Sequence, residues 1–194
     1  MSKCHKSKIM CPVCKKSYKI DIWDSVNAQL NPELKERILS NTFYKTVCPS
    51  CKAETDCLYD FLYHDMNKKY MISLSQDYPV GLIKSIGESG YFFRKVEDIN
   101  QLIEKIRIFD AGLSDIVVEI MKNVTTKIMK LNTDMLFAQA EKDGFIFLLL
   151  KEEKAISVPK ITYDMVLKNC TKEDLKEYPE FMEVNQSYIE KLIK

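Results

Sequence analysis

The chain has 194 residues, and 46% of them are hydrophobic, so it can bury a core and is not expected to be disordered. Its 29 lysines and arginines nearly balance its 28 acidic residues, and the net charge of +1 predicts no strong attraction to nucleic acid or to a membrane surface. No secretory signal is found, and the longest apolar run, 145–150, is far shorter than the about 20 residues of a membrane-spanning helix, so we expect a soluble cytoplasmic protein.

The first predicted elements are two short strands around a cysteine turn. Apolar and aromatic residues at 8–11 and 17–23 flank Cys11-Pro-Val-Cys14, a pattern typical of strand, tight turn and strand. A helix is predicted over 31–40, because Asn31 suits the N-cap and the proline after it fits the first helical position. Further extended segments are predicted at 43–48, 57–63 and 69–74.

A change of composition divides the chain near residue 90. Residues 78–90 hold three of the five glycines together with Pro79, which indicates a linker or a domain boundary. We therefore predict a first domain at 1–90 and a C-terminal α+β region at 91–194.

The C-terminal region is predicted to begin with a helical pair at 95–131. Apolar residues recur with helical spacing from Val96 to Ile106 and from Leu113 to Ile128, and Asp110-Ala-Gly separates the two runs.

The last predicted unit, at 133–194, combines a β-meander with closing helices. Beyond residue 132 the hydrophobic period changes to two, which predicts three strands whose first turn is built on Asp143-Gly144. Helices are predicted at 161–169 and 186–194. The predicted fold class is therefore α+β, and the meander is a candidate extension of a shared sheet.

Two Cys-Pro-x-Cys turns, separated by 33 residues, carry the strongest chemical signal in the sequence. Each turn places two sulfurs on one side of a metal ion, and two such turns complete a tetrahedral set of four thiolates. Proline after the first cysteine suits a turn whose other amide hydrogens are aimed at thiolates. We predict one structural Zn²⁺ in an N-terminal zinc ribbon with a helical insertion, bound by Cys11, Cys14, Cys48 and Cys51.

Four thiolates leave no open coordination position, so the ion is not expected to activate water. Iron held by four cysteines uses similar spacing and is the alternative metal. Cys57 and Cys170 are expected to be inert buried thiols, and Cys4-His5 is expected to be a frayed terminus. Lys15 and Lys52 stand where such turns need a positive φ and often carry glycine, so the turns are expected to be strained but workable.

Several segments resemble the CpXC family of bacteria and archaea over residues 9–72. The resemblance is carried by the two Cys-Pro-x-Cys motifs, by Asn-Pro-Glu-Leu-Lys at 31–35 and by Leu-Tyr-His-Asp at 62–65. The stretch that begins at Arg94 also resembles the segment after that domain in some members. The resemblance implies a zinc-binding domain of uncharacterised role, and it supplies no reaction.

No catalytic motif is found, and the chain is not expected to be an enzyme. Redox Cys-x-x-Cys sites stand at helix N-termini, whereas both motifs here follow predicted strands. His64 and Asp65 are the one polar pair worth suspecting, and an uncharacterised enzyme that uses them is the second alternative. A structural histidine at a strand end is the favoured interpretation.

The leading functional prediction is a protein-interaction or adaptor module stiffened by zinc, with another protein as its partner. Trp23 and the aromatic residues at 59–63 are the candidate binding face, and packing of the same side chains into the core is the competing interpretation. The first alternative is a nucleic-acid-associated protein, because six lysines and no acidic residue occur from Lys3 to Lys19. Only three arginines occur against 26 lysines, which disfavours base-specific readout.

Overall fold

The computed structural model describes residues 2–75, 90–178 and 180–192. The predicted linker at 78–90 therefore lies outside the described residues except for Gly90. Within the described residues the chain is a mixed α+β protein with ten strands and five helices.

The strands are β1 (Lys3–Met10), β2 (Ser17–Asn27), β3 (Lys45–Val47), β4 (Glu54–Asp56), β5 (Phe61–Asp65), β6 (Tyr70–Leu74), β7 (Phe92–Lys95), β8 (Met135–Ala140), β9 (Gly144–Leu149) and β10 (Lys154–Pro159). The helices are α1 (Pro32–Leu39), α2 (Ile99–Asp110), α3 (Asp115–Met129), α4 (Lys160–Asn169) and α5 (Gln186–Leu192). The predicted helices and the predicted meander are all present.

The largest described sheet has the strand order β1-β2-β5-β6-β7. Its pairings alternate, because β1–β2 and β5–β6 are antiparallel whereas β2–β5 and β6–β7 are parallel. β7 comes after the undescribed segment 76–89 and pairs with β6, with Phe92 opposite Tyr70. Residues on both sides of position 90 therefore share one sheet.

The expectation of a frayed terminus at Cys4-His5 was wrong. Both residues lie inside β1, where Cys4 pairs with Trp23 and His5 with Ile22 of β2. β1 is an edge strand whose side chains are mostly exposed, so its sequence shows little of the apolar alternation that marks a half-buried strand.

The main core lies between the five-stranded sheet and helices α1 and α2. The pleat of β5 buries Phe61, Tyr63 and Asp65 on one face of the strand. Leu34 and Ile38, four residues apart on α1, and buried residues of α2 such as Leu102 and Ile106 belong to the same core, which also includes Tyr63. Burial of such large side chains supplies most of the favourable free energy of folding.

The meander forms a sheet of its own, in the order β10-β9-β8, rather than extending the larger sheet. α2 packs against both β6 and β8, so this helix connects the two sheets. Gly144, at the start of β9, lies close to β10, where a Cβ atom would be 2.6 Å from the carbonyl oxygen of Val158.

The helical pair begins at well-formed caps. The Asp98 carboxylate accepts the amide hydrogens of Asn100 and Gln101 at the start of α2, and the Ser114 hydroxyl accepts that of Val117 in α3. The predicted apolar face of α3 is only partly confirmed. Its last member, Ile128, is 75% exposed, and buried polar residues share the helix with the apolar ones.

Candidate metal centre

Two β-hairpins hold the four predicted cysteines, one formed by β1 and β2 and the other by β3 and β4. Their turns repeat one hydrogen-bond pattern. In the first, the amide of Lys15 donates to the carbonyl of Cys11 at 3.0 Å; in the second, the amide of Lys52 donates to that of Cys48 at 2.9 Å. The φ angles of Lys15 and Lys52 are 59° and 62°, so the left-handed conformation expected at these positions is confirmed.

The hairpins bring all four sulfur atoms within 4.8 Å of one another. Cys11 Sγ lies 3.7 Å from Cys51 Sγ, and Cys14 Sγ lies 3.7 Å from Cys48 Sγ, so each of these pairs joins the two turns. Four sulfurs at about 2.3 Å from a central ion at tetrahedral angles are separated by about 3.8 Å. The cluster thus has the size that a tetrahedral metal requires, and a metal ion can bind there.

Backbone amides favour the thiolate forms at the first cysteine of each turn. The Cys14 amide hydrogen, opposed by burial and assisted by the Val13 amide, lowers the pKa of Cys11 to about 6. The Cys51 amide lowers the pKa of Cys48 in the same way.

The Cys51 thiol ionises less readily than those of Cys11 and Cys48. The Ala53 amide lowers the pKa of Cys51, but burial and the neighbouring thiols outweigh this effect and raise the pKa to about 11. Sulfurs this close cannot all carry a negative charge at neutral pH unless a cation compensates them, and a divalent metal ion supplies that compensation.

Polar contacts behind the cysteines tie the two hairpins together. The Tyr18 hydroxyl of β2 lies 3.2 Å from the Thr46 hydroxyl of β3, which in turn lies 3.2 Å from the hydroxyl of Thr55 on β4. Cys11 and Cys48 are buried, whereas Cys51 is exposed, so one side of the cluster faces solvent. Among the described residues, no other group of three or more metal-ligating side chains lies close enough together to bind an ion.

The remaining cysteines stand apart from the cluster. Cys57 and Cys170 are half-buried, and burial raises the pKa of each thiol, which makes both less reactive than an exposed cysteine. Cys4 is exposed on the edge strand β1.

His64 and Asp65 form no hydrogen bond with each other. They are consecutive on β5 and therefore point to opposite faces of the sheet. His64 Nε2 lies 3.0 Å from the Tyr91 hydroxyl, and burial lowers the pKa of the imidazole. The Asp65 carboxylate accepts hydrogen bonds from the Gln29 side chain at 2.8 Å and from the Lys68 amide at 2.9 Å.

The proposed aromatic binding face is not exposed. Phe61 and Tyr63 are buried, and Trp23 and Tyr59 are partly buried and pack against the same core. The rings of Tyr44 and Tyr59 meet edge to face with centroids 5.0 Å apart. Core packing, the competing interpretation of these aromatic residues, is therefore the one that the structure bears out.

The N-terminal lysines fall into two groups. Lys3 and Lys6 form exposed ion pairs with Asp24 and Asp21 of β2, at 3.6 and 3.1 Å. Nearer the cysteines, Lys8 and Lys19 are exposed and directly opposite each other in the β1–β2 ladder. Among the described residues neither forms an ion pair, so this end of the hairpin is the more cationic one, and the two facing charges repel each other.

A network of buried charges in the second half of the chain was not predicted from the sequence. Arg94 on β7 is 1% exposed and binds the Asp115 carboxylate with two hydrogen bonds of 2.7 and 2.8 Å. Glu177 binds the same guanidinium twice, and Lys105 lies 2.9 Å from Asp115. Burial disfavours the charged carboxylate, but Lys105 and Arg94 outweigh it and hold the pKa of Asp115 far below its usual range.

Fold and site together define a mixed α+β protein with a four-cysteine candidate metal centre between two hairpins. The chain belongs to the CpXC family, whose model, described as CpXC protein, matches residues 9–122, more than half of the chain. No curated protein and no solved structure matches the chain. Among the described helices, none is long and apolar enough to cross a membrane.

Proposed function

We propose that the chain binds one structural Zn²⁺ through Cys11, Cys14, Cys48 and Cys51. The sulfur separations of 3.7 Å between the turns carry this proposal, because they are close to the about 3.8 Å of a tetrahedral four-sulfur site. Zinc is favoured over Mg²⁺ or Ca²⁺ because thiolates are soft ligands, and iron is the alternative that the same geometry accepts. Four protein ligands leave the ion no free position for substrate, so its role is to hold the two hairpins together.

We further propose that the metal-held turns form a contact surface for a protein partner. Three apolar side chains are exposed there: Met10 (63%) and Val13 (66%) at the first turn and Val47 (54%) before the second. We take these three side chains, which neighbour metal ligands in the sequence, as the apolar part of the contact surface, because contiguous exposed apolar side chains mark interaction sites. The proposed function is thus an adaptor or interaction module, and its cellular role depends on the protein that binds this surface.

Metal identity is tested by measuring zinc and iron in protein purified without chelator, followed by cobalt substitution. About one equivalent of zinc, and an intense thiolate-to-cobalt absorption in the substituted protein, are the expected results. If the protein is intensely coloured and contains iron, the site is assigned to iron instead of zinc. The absence of any bound metal would refute the proposal.

The contact surface is tested with Val13→Asp, which places a charge on the first turn without removing a cysteine. Ile161→Asp on α4 is the matched control, since Ile161 is also 66% exposed. Both variants are expected to keep the metal and the unfolding temperature of the wild type. Proteins captured from the native host by wild type and by the control should be lost with Val13→Asp; equal capture by all three would refute the surface.

A nucleic-acid-associated function is the second candidate, and the Lys8–Lys19 opposition favours it. Two facing ammonium groups form a small cationic site that a phosphate would stabilise, next to the exposed Lys15 and Lys16 of the first turn. Binding of single- or double-stranded nucleic acid that weakens steeply with salt, and that Lys8→Gln reduces, is expected. No binding at low ionic strength would exclude this function.

A further inference from the structure

An open cavity of about 240 Å³, with no cysteine among its lining residues, lies between α2, α3, the start of β8 and the segment that leads into α5. α3 contributes Glu119, Lys122, Asn123 and Thr126, which share one face of the helix because their spacing is i, i+3, i+4 and i+7. Two polar helix faces therefore meet across a space that holds a small organic molecule.

The floor of the cavity is charged but balanced. Lys122 Nζ lies 3.0 Å from a carboxylate oxygen of Glu104 and 3.0 Å from one of Glu119. Glu104 also accepts the amide hydrogen of Phe137 at 2.6 Å, and Lys105 donates to the carbonyl of Val184 at 2.7 Å. These side chains are held by protein partners, so the floor is rigid and carries no excess charge.

Asn123 is the exception among the polar residues of this cavity that are largely buried. It is only 7% exposed, lines the cavity, and has no side-chain hydrogen bond to any residue that the structure describes. Its carboxamide nitrogen and oxygen are not among the fully buried unpaired atoms, so they are reached from the open cavity although most of the residue is buried. Its side-chain donor and acceptor are available to a molecule in the cavity.

The rim has a negative charge. Glu97, Asp98, Asp134 and Glu183 surround the opening, and Lys95, the one cation among the described rim residues, is bound to Glu183 at 3.1 Å. The field at the opening therefore attracts a cation. Apolar side chains, among them Val96, Met135 and Leu136, complete the wall and suit a short methylene chain.

We propose that this cavity binds a small organic cation that carries a primary ammonium group on an alkyl chain. The ammonium group donates to the Asn123 side-chain oxygen, the methylene groups contact Met135 and Leu136, and the acidic rim selects the positive charge. A free diamine and a free amino acid with a cationic side chain share this chemistry. They differ in the carboxylate, which the acidic rim repels.

The proposal is tested by calorimetric titration of the full-length chain at low ionic strength with 1,4-diaminobutane, with L-lysine and with butane-1,4-diol as the neutral analogue. The diamine is expected to bind, and the diol is not. Tighter binding of L-lysine than of the diamine would keep the cation site but assign it to an amino acid. If neither amine gives a measurable heat of binding at millimolar concentration, the proposal is overturned. Binding of the diol as tight as that of the diamine would also overturn it.

Variants separate this site from nonspecific attraction. Asn123→Ala is expected to fold as well as the wild type, because Asn123 makes no hydrogen bond to lose and alanine favours a helix more. The variant should bind the diamine about tenfold more weakly, because it loses one hydrogen bond to a charged group. Asp134→Asn should also weaken binding, whereas Glu36→Gln, at an exposed position on α1, should not. Unchanged affinity in Asn123→Ala would refute the site.

Discussion

Removing the charge of Asp115 is expected to destabilise the protein more than any change to an exposed residue. In Asp115→Asn, the Arg94 guanidinium and the Lys105 ammonium keep their burial but lose the carboxylate that binds both of them. Loss of one partner of a buried ion pair costs about 3–5 kcal/mol of unfolding free energy. For a chain of this length that lowers the unfolding temperature by about 6–20 °C.

The assay is thermal and urea unfolding followed by circular dichroism, with Asp164→Asn as the control. Asp164 is an exposed residue of α4 with no ion pair among the described residues, so its replacement should change stability by less than about 0.5 kcal/mol. If Asp115→Asn lowers the free energy of unfolding by less than about 1 kcal/mol, the Arg94 network contributes little net stability.

Comparison of wild type with Asp115→Asn at several pH values gives a second test. Since the folded protein holds the pKa of Asp115 below its unfolded value of about 3.9, the charged carboxylate contributes its full stabilisation above that pH. The contribution is lost as the pH falls from about 4 toward the lower folded value. Wild type should therefore lose stability on acidification more steeply than Asp115→Asn, and identical slopes would contradict the pKa assignment.

Three further variants test the turns and the thiols. Lys15→Gly should raise the unfolding temperature by about 2–4 °C, because glycine adopts the 59° φ angle without the roughly 1 kcal/mol that a side chain costs there, and Lys16→Gly should not. Gly144→Ala should lower stability by about 1–3 kcal/mol in a urea titration, since its Cβ meets the backbone of β10. Cys170→Ser should keep a full equivalent of metal by elemental analysis; metal loss there would refute the four-cysteine assignment.

The cysteine turns could be predicted because their chemistry is local. Two residues in each Cys-Pro-x-Cys motif fix the ligand geometry, and the need for a positive φ at Lys15 and Lys52 arises from that turn alone. Bringing the two turns together requires only that one pair of hairpins meet, which the motif duplication itself indicates.

The sheet order could not be predicted in the same way. β2 and β5 pair in parallel through only three residues each, with Val26 opposite Tyr63, and 33 residues of chain lie between the end of β2 and the start of β5. No local pattern identifies such partners. β1 was mostly missed because an edge strand with exposed lysines lacks the apolar alternation from which strands are recognised.

Buried charges were missed for a related reason. Arg94 meets Glu177 across 83 positions of sequence, and nothing near either residue marks them as partners. The polar face of α3 did leave a signal, since Glu119, Lys122 and Asn123 recur at helical spacing inside an apolar helix. Apolar periodicity alone does not reveal this face, although polar residues at such spacing inside an apolar helix indicate a second, polar face.

In the proposed site, Cys11, Cys14, Cys48 and Cys51 hold one metal ion with four thiolates and no open coordination position. X-ray absorption at the metal edge, on protein purified without chelator, tests it most directly, with Cys48→Ser as the comparison. We expect about one zinc per chain with four sulfur neighbours at about 2.3 Å, and loss of the metal together with unfolding of the two hairpins in Cys48→Ser. Less than about half an equivalent of metal, or nitrogen or oxygen neighbours in place of sulfur, would refute the four-thiolate site.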